Sequence, residues 1–165
     1  MAFRPVTAKP LQELAEALLR GESTLSRGER ELIAAFVSRA NDCEFCARSH
    51  GAFAALQMDE GEEIVDAVCS DYTGAPVSGK LKALLAIADK VRQGGKSVTE
   101  SEVDRAREQG ATDVEIHDAV LIAAAFCMYN RYVDGLATWT PTDPEAYRSN
   151  AQMIVSNGYI RPATP

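Results

Sequence analysis

Residues 31–50 read Glu-Leu-Ile-Ala-Ala-Phe-Val-Ser-Arg-Ala-Asn-Asp-Cys-Glu-Phe-Cys-Ala-Arg-Ser-His. An alanine-rich apolar segment comes first, and Asn41-Asp42 then interrupts it, which is typical of a helix that ends where the next helix is capped. On the second helix Cys46 lies three residues after Cys43 and four residues before His50, so the three side chains share one face. The stretch predicts two consecutive helices, the second of which carries a thiol pair and an imidazole on one face.

Helical patterns continue on both sides of this stretch. A Ser, Thr or Asp followed three positions later by Glu is a capping-box pattern that marks a helix start, and it occurs at Ser26, Asp59, Thr99 and Thr112. Apolar residues also recur at helical spacing, in one set at Leu81, Leu84, Leu85 and Ala88, and in another at Ile116, Ala119, Val120, Ala123 and Cys127. Pro144 suits a first helical position and Gly158 suits a helix stop. We therefore expect an all-α fold of seven or eight helices.

Length and composition indicate one domain. The chain has 165 residues, of which 46% are hydrophobic and 25% are charged, values that are normal for a globular domain with its own core. We expect a single helical domain over residues 1–165. Within it, the motif helices should span about 26–58, the second-half helices about 78–135, and a C-terminal helix about 143–157.

Charge and hydropathy exclude several classes of partner. The net charge of −7 would repel a phosphate backbone, which argues against nucleic acid. Apolar runs are far too short to span a bilayer, and Met1-Ala2-Phe3-Arg4-Pro5 lacks the apolar core of a secretory signal. We therefore expect a cytoplasmic protein with no membrane partner. In that reducing compartment Cys43 and Cys46 form a candidate redox or metal pair, whereas the isolated Cys69 and Cys127 should be buried small apolar residues.

The spacing within the motif has chemical consequences. A helix N-terminus lowers the pKa of a thiol, and an imidazole one turn away can take the thiol's proton. A second thiol at i,i+3 can attack an oxidised sulfur, because the two sulfurs meet with little backbone movement. Glu31 can orient His50 if the two helices form a hairpin. The residues predict a relay of Glu, His and Cys with a second Cys beside it.

Other interpretations of the same residues stay open. Cys-x2-Cys-x3-His could bind zinc, with Cys69 or His117 as a fourth ligand, or the cysteine pair could be inert in the core. Glu31 could be solvated within the acidic segment 28–31. His117, which has acidic neighbours, is expected to be an ordinary surface residue.

The motif resembles that of the carboxymuconolactone decarboxylase superfamily, in its thiol-bearing, alkylhydroperoxidase D-like branch. That branch carries a Glu, eleven residues, and then Cys-x-x-Cys-x-x-x-His, and Glu31, Cys43, Cys46 and His50 match it at every spacing. The segment Asn130-Arg-Tyr-Val-Asp-Gly135 is also similar to the second-half helix of peroxidase-related members. The resemblance extends over residues 11–160, roughly.

The resemblance implies an all-α, AhpD-like homo-oligomer, a trimer, hexamer or dimer, that reduces peroxides. It implies that Cys46 is the attacking thiolate, that Cys43 resolves it, and that His50 and Glu31 relay protons. It also implies a lipoyl-bearing or other dithiol protein as the reductant. We therefore predict a peroxiredoxin-type oxidoreductase without a metal or an organic cofactor.

Two features of the motif refine this prediction. Phe45 stands where alkylhydroperoxidase D has a histidine, so the proton relay is shorter here. The helix dipole favours Cys43 as the more acidic thiol, whereas an imidazole one turn away favours Cys46. A charged partner shifts a pKa by about 1–3 units and a helix terminus by less than about one, so we expect Cys46 to attack the peroxide and become a sulfenic acid.

The predicted product is a reversible Cys43–Cys46 disulfide, made labile by its exposure at the start of a helix. Three alternative functions are consistent with the same residues. The cluster could serve a non-enzymatic redox sensor or a zinc-binding protein, or the chain could be a decarboxylase-like relative with a vestigial cysteine pair.

Overall fold

The structure, a computed structural model, describes residues 4–160, which form an all-helical fold. Its α-helices are α1 (Pro5–Arg20), α2 (Arg27–Ala40), α3 (Glu44–Ala55), α4 (Gly61–Asp71), α5 (Gly79–Gln93), α6 (Glu100–Glu108), α7 (Asp113–Gly135) and α8 (Pro144–Asn157). A 3-10 turn at Gly95–Ser97 lies between α5 and α6, and residues 4–160 contain no strand. The predicted all-α class and number of helices are confirmed.

Helix α2 lies at the centre of the fold. It packs against α1, α3, α4, α5 and α7, and every residue from Leu32 to Ser38 is buried. Its most extensive contact is with α3, to which it is joined by the short turn 41–43. The two helices form the hairpin that the motif requires, and α7 packs across both of them.

Three of the four predicted capping boxes are present. The hydroxyls of Ser26 and Thr112 each accept a hydrogen bond from the backbone N–H of the Glu three residues later, and the carboxylate of that Glu accepts one from the backbone N–H of the Ser or Thr. In the third box, the Glu102 carboxylate accepts the backbone N–H of Thr99. The prediction at Asp59 is wrong, because α4 begins at Gly61 and its N-cap residue makes no side-chain cap. Gly61 has φ +60°, a left-handed turn that glycine adopts without strain, and this turn moves the helix start two residues past Asp59.

The apolar stripes of α5 and α7 face each other in the core. Leu81, Leu84, Leu85 and Ala88 of α5 are buried, as are Ile116, Ala119 and Ala123 of α7. Cys127 and, on α4, Cys69 are only half-buried, which corrects the expectation that both lie inside the core; each packs against its edge. No helix in the described part of the chain combines the length and the apolar character that crossing a bilayer requires.

The C-terminal helix brings the end of the chain back to the motif. Asp143 caps α8 with Pro144 in its first turn, and Gly158 ends it at φ +84°, as predicted. Phe53 of α3 packs against α8, and the guanidinium of Arg20 donates to the carbonyl oxygens of residues 154 and 155 at 3.2 and 3.0 Å. Because α8 is held by both α1 and α3, the residues that follow it lie beside the α2–α3 hairpin.

Candidate active site

The turn between α2 and α3 sets the position of the two cysteines. Asn41 ends α2, and Asp42 adopts φ 59°, a left-handed conformation that Asp tolerates better than most residues. The backbone N–H of Cys43 then donates to the carbonyl of Ser38 at 3.0 Å. The N-cap residue of α3 is therefore Cys43, which corrects the expectation that Asn41-Asp42 caps this helix. Cys46 and His50 follow on the first and second turns.

Both thiols are free and buried. Cys43 is 0% exposed and Cys46 is 4% exposed, so the expectation of an exposed pair is wrong. The α2–α3 packing and the C-terminal half of α7 enclose this end of the hairpin, which the position of the motif at a helix start does not reveal. Any substrate of this pair must therefore be small or must be admitted by a local movement.

The surroundings of the two sulfurs differ. Burial raises the pKa of the Cys43 thiol far above its usual range, and the nearby Asp134 carboxylate adds to that rise, outweighing the backbone N–H of Cys46, which lowers the pKa. Burial also raises the pKa of Cys46, but hydrogen bonds from the Cys43 thiol and the Asn130 side chain oppose it. The Asp134 carboxylate raises the pKa of both thiols, by a hydrogen bond at Cys43 and by its charge at Cys46, so the difference between the two lies in the donors around Cys46, which stabilise its anion.

Glu31 and His50 are in direct contact. Nδ1 of His50 lies 2.7 Å from Oε2 of Glu31, and their side chains are 12% and 3% exposed. The solvated interpretation of Glu31 is therefore wrong. An ionised carboxylate can only accept a hydrogen bond, so this contact favours the tautomer that carries the proton on Nδ1 and leaves Nε2 as the basic nitrogen. This is the tautomer that a general base one turn from Cys46 requires.

Aromatic rings surround the imidazole. The rings of Phe126 and Phe53 meet His50 edge-on, with centroids 4.5 and 5.1 Å away. These contacts fix the plane of the imidazole and keep water from most of it, which strengthens its contact with Glu31. Phe45, which replaces the histidine of alkylhydroperoxidase D, is only half-buried.

The structure places two further residues at the site, Tyr159 and Asn130, which the sequence analysis did not assign to it. The hydroxyl of Tyr159 donates to Oε1 of Glu31 at 2.6 Å, and nothing in the sequence connects residues so far apart. Asn130 is 2% exposed and donates to the Ser38 hydroxyl at 3.0 Å while accepting from Asn41 at 2.9 Å. A lone amide on the buried side of an apolar helix is a detectable signal, because a buried polar group requires partners.

The predicted alternative ligands for zinc lie elsewhere. Within residues 4–160 no group of three or more His, Cys, Asp and Glu side chains is arranged to hold a metal ion. Cys69 of α4 lines a cleft of about 460 Å³, and neither Cys43 nor Cys46 lines this cleft. His117 is exposed, 3.4 Å from Asp118, as expected for a surface residue.

Similar solved structures share this fold. A structure described as the alkylhydroperoxidase AhpD core of an uncharacterised peroxidase-related protein from Ralstonia eutropha JMP134 is 28% identical, with a TM-score of 0.81 over 89% of this chain and 77% of its own. A peroxidase-related protein from Silicibacter sp. TM1040 is 27% identical, with a TM-score of 0.81 over 91% and 76%. A protein from Agrobacterium tumefaciens, 22% identical, has a TM-score of 0.74 over 86% and 95%, and its likeness shows the fold alone.

Sequence comparison agrees with this structural likeness. No curated protein matches the sequence. The pattern of the carboxymuconolactone decarboxylase family matches residues 5–90, which is just over half of the chain and includes α1 to α4 and most of α5. The chain therefore belongs to the carboxymuconolactone decarboxylase family, with an AhpD-like fold.

Proposed function

We propose that this protein is a thiol-dependent peroxidase that reduces peroxides through Cys46 and Cys43. The observation that carries the proposal is the buried 2.7 Å contact between Glu31 and His50, on the hairpin whose second helix begins with the cysteine pair. A carboxylate, an imidazole and a thiol in this order form an activated nucleophile. The peroxidase-related descriptions of two similar structures support the same conclusion.

In the first step His50 takes the proton of the Cys46 thiol. The thiolate attacks the peroxide oxygen, the O–O bond breaks, and Cys46 becomes a sulfenic acid. The alkoxide that leaves is protonated to the alcohol by the imidazolium of His50, so His50 returns to its neutral form. Glu31 holds the ring and stabilises its positive charge between the two proton transfers.

In the second step the Cys43 thiol attacks the Cys46 sulfenic acid. A disulfide forms and water leaves, so the two electrons that reduced the peroxide have come from the cysteine pair. An external dithiol, free or lipoyl-bearing, then reduces the disulfide by exchange and becomes a disulfide itself. No metal or organic cofactor takes part in these steps.

Burial raises the pKa of both thiols, and the different groups beside them support this division of roles. Burial raises the pKa of Cys43 strongly, and Asp134 raises it further, so Cys43 remains a neutral thiol until Cys46 has been oxidised. Cys46 is buried too, but it has two hydrogen-bond donors beside it and His50 one turn away. A charged partner one turn away changes the pKa of a thiol more than the dipole of a helix terminus does, since the dipole contributes only about 0.3–1 kcal/mol.

We also propose that the chain self-associates, in the cytoplasm, through the outer face of α7. This face and the loop after it expose large apolar side chains, Leu121, Met128, Tyr132, Leu136 and Trp139. An apolar surface of this extent is typical of a contact with a second copy. Light scattering tests it: a mass near 17.8 kDa at micromolar concentration would contradict self-association, and Met128→Glu should lower the mass of an assembly.

The experiment that tests the function is steady-state peroxide consumption with dithiothreitol and then with dihydrolipoamide as the reductant. We expect turnover in the wild type, none above the uncatalysed rate in Cys46→Ser, and wild-type turnover in Cys69→Ser. Cys69 is the matched control because it is a half-buried free thiol outside the motif. Equal turnover in the two variants would contradict the proposal, and one zinc per chain without turnover would favour the metal-binding alternative.

A further inference from the structure

The segment after α8 places a phenol against the buried carboxylate. The Tyr159 hydroxyl donates to Oε1 of Glu31 at 2.6 Å and lies 3.5 Å from Nδ1 of His50. Its ring stacks on the imidazole with an interplanar angle of 18° and a centroid distance of 6.2 Å. The backbone N–H of Tyr159 donates to Glu16 of α1 at 2.7 Å, so the residue is held from a third side.

The two oxygens of the Glu31 carboxylate therefore have separate donors. Oε1 accepts from Tyr159, and Oε2 accepts from His50. A carboxylate that accepted from His50 alone could rotate about its last side-chain bond and exchange its two oxygens. A donor fixed on one oxygen stops this rotation and directs the other oxygen at Nδ1.

We propose that Tyr159 is a positioning residue of the site: its hydroxyl orients Glu31 so that Glu31 keeps the proton of neutral His50 on Nδ1 and leaves Nε2 as the base for Cys46. Tyr159 touches neither the reacting sulfur nor the peroxide in this scheme, and it acts through Glu31. The inference rests on the proposed peroxidase function for its biological meaning. Its structural content, the orientation of a carboxylate and the tautomer of a ring, can be tested without turnover.

The charges around Tyr159 favour its role as a donor. Burial raises the pKa of Tyr159 well above its usual value, and the negative charge of Glu31 raises it further, so the phenol keeps its proton at neutral and moderately alkaline pH. Arg20 from α1 lowers the pKa, and Glu16 from the same helix raises it. His50 from α3 and Arg30 from α2, whose charge interacts with Glu31, are further charged or titratable groups near this pair.

A purely structural role is the competing explanation. The Tyr159 ring packs edge-on against Phe53 at 6.2 Å and covers one side of the site. Tyr159→Phe separates the two roles, because it keeps the ring and removes only the hydroxyl. Tyr129→Phe is the matched control, since the buried Tyr129 likewise donates its hydroxyl, at 2.8 Å, but to the backbone carbonyl of Leu11.

The direction of the effect follows from charge. Removing the phenol takes away one hydrogen bond that stabilises the Glu31 anion, so this carboxylate attracts the positive charge of a protonated imidazole more strongly, whereas its hold on the orientation of the neutral ring is weaker. The Glu31–His50 pair then stays protonated to a higher pH, and the base for Cys46 becomes available later. Because a hydrogen bond to a charged group is among the stronger ones, we expect its loss to move the pH dependence of Cys46 reactivity by roughly half to one pH unit.

The first measurement is the rate at which iodoacetamide labels Cys46, followed by peptide mass spectrometry against pH. We expect the acid limb of this profile to move upward by roughly half to one pH unit in Tyr159→Phe, with a threefold to tenfold slower rate on that limb. Tyr129→Phe should keep the wild-type profile. Identical profiles in the two variants would overturn the inference.

The second measurement is the nitrogen NMR spectrum of the His50 ring. The chain has two histidines, so a His117→Gln background isolates the signal. We expect the neutral wild-type ring to carry its proton on Nδ1, and a larger fraction protonated on Nε2 in Tyr159→Phe. A wild-type ring protonated mainly on Nε2 would overturn the inference even if Tyr159→Phe does not fold.

These outcomes separate the inference from the proposed function. If the wild type reduces no peroxide but Tyr159→Phe shifts the labelling profile and the tautomer, the peroxidase proposal fails and the role of Tyr159 stands. If the wild type reduces peroxide and Tyr159→Phe behaves like Tyr129→Phe, the peroxidase proposal stands and the role of Tyr159 fails.

Discussion

Two buried glutamates, Glu31 on α2 and Glu115 on α7, have carboxylates that are removed from water and stabilised by different hydrogen-bond partners. Glu115 is 1% exposed and accepts hydrogen bonds from the Lys80 ammonium at 2.8 Å, from the Thr24 hydroxyl at 2.9 Å and from the backbone of Thr112 at 2.8 Å. All of these donors keep their protons at neutral pH. Their arrangement holds a permanent charge in place and joins α7 to α5 and to the loop before α2.

Glu31 is 2% exposed, but its partners can exchange protons. His50 is the side chain type that titrates near neutral pH, and Tyr159 is a neutral donor. Burial of a carboxylate therefore does not by itself identify a functional site. A lysine beside the carboxylate is typical of a structural ion pair, whereas an imidazole beside it is the arrangement from which we propose proton transfer.

The largest expected effect comes from Glu31→Gln. The amide cannot stabilise a charged imidazole and can hold either tautomer, so we expect peroxide turnover to fall by about 100- to 10,000-fold, the range of general base catalysis. The free energy of unfolding should change by no more than about 1 kcal/mol, because the shape and one acceptor remain. Glu62→Gln, an exposed carboxylate beside Arg148, is the control and should leave turnover unchanged.

Glu115→Gln should produce the opposite pattern. It removes the negative charge that faces the Lys80 ammonium at 2.8 Å and sets an NH2 group against one of the donors, so urea denaturation should show a loss of about 2–3 kcal/mol in the free energy of unfolding at neutral pH. Turnover per folded molecule should stay at the wild-type level. A large loss of turnover with unchanged stability would remove the distinction between the two glutamates.

Acid should reveal the stabilisation by Glu115. Burial alone would raise its pKa, but the bonds from Lys80, Thr112 and Thr24 outweigh burial and lower the pKa to about 2. Because this is below the unfolded value of 4.5, the contribution to stability is complete above that pH and is lost as the pH falls from 4.5 toward 2. Urea denaturation of the wild type and of Glu115→Gln should show that the difference between their free energies of unfolding shrinks as the pH falls over this range. A difference that stays constant would contradict the lowered pKa of Glu115.

Local features of the sequence predicted much of the fold. The capping boxes at Ser26, Thr99 and Thr112 and the stripe of α5 depend on residues three or four apart, and such patterns are visible in the chain itself. The Glu31–His50 contact was predictable because both residues belong to one hairpin with a short turn. The box at Asp59 failed because the left-handed turn at Gly61 determines where α4 begins.

Contacts between distant parts of the chain could not be predicted from the sequence. Tyr159 reaches Glu31 only because α8 is docked on α1 and α3, and no local pattern records that docking. The burial of Cys43 and Cys46 likewise depends on α7, whose residue Asn130 lies next to Cys46. The motif predicts thiol chemistry, which turnover and trapping experiments test, and the packing of α7 and α8 determines how enclosed the site is.

We propose that Cys46 is the residue that attacks the peroxide. This assignment can be tested by treating the single variants Cys43→Ser and Cys46→Ser with one equivalent of peroxide in the presence of a dimedone-type trap, followed by peptide mass spectrometry. We expect a trapped sulfenic acid on Cys46 in Cys43→Ser and none on Cys43 in Cys46→Ser. Labelling of Cys43 in Cys46→Ser, with none on Cys46 in the other variant, would contradict it and would assign the attack to the thiol at the helix N-cap.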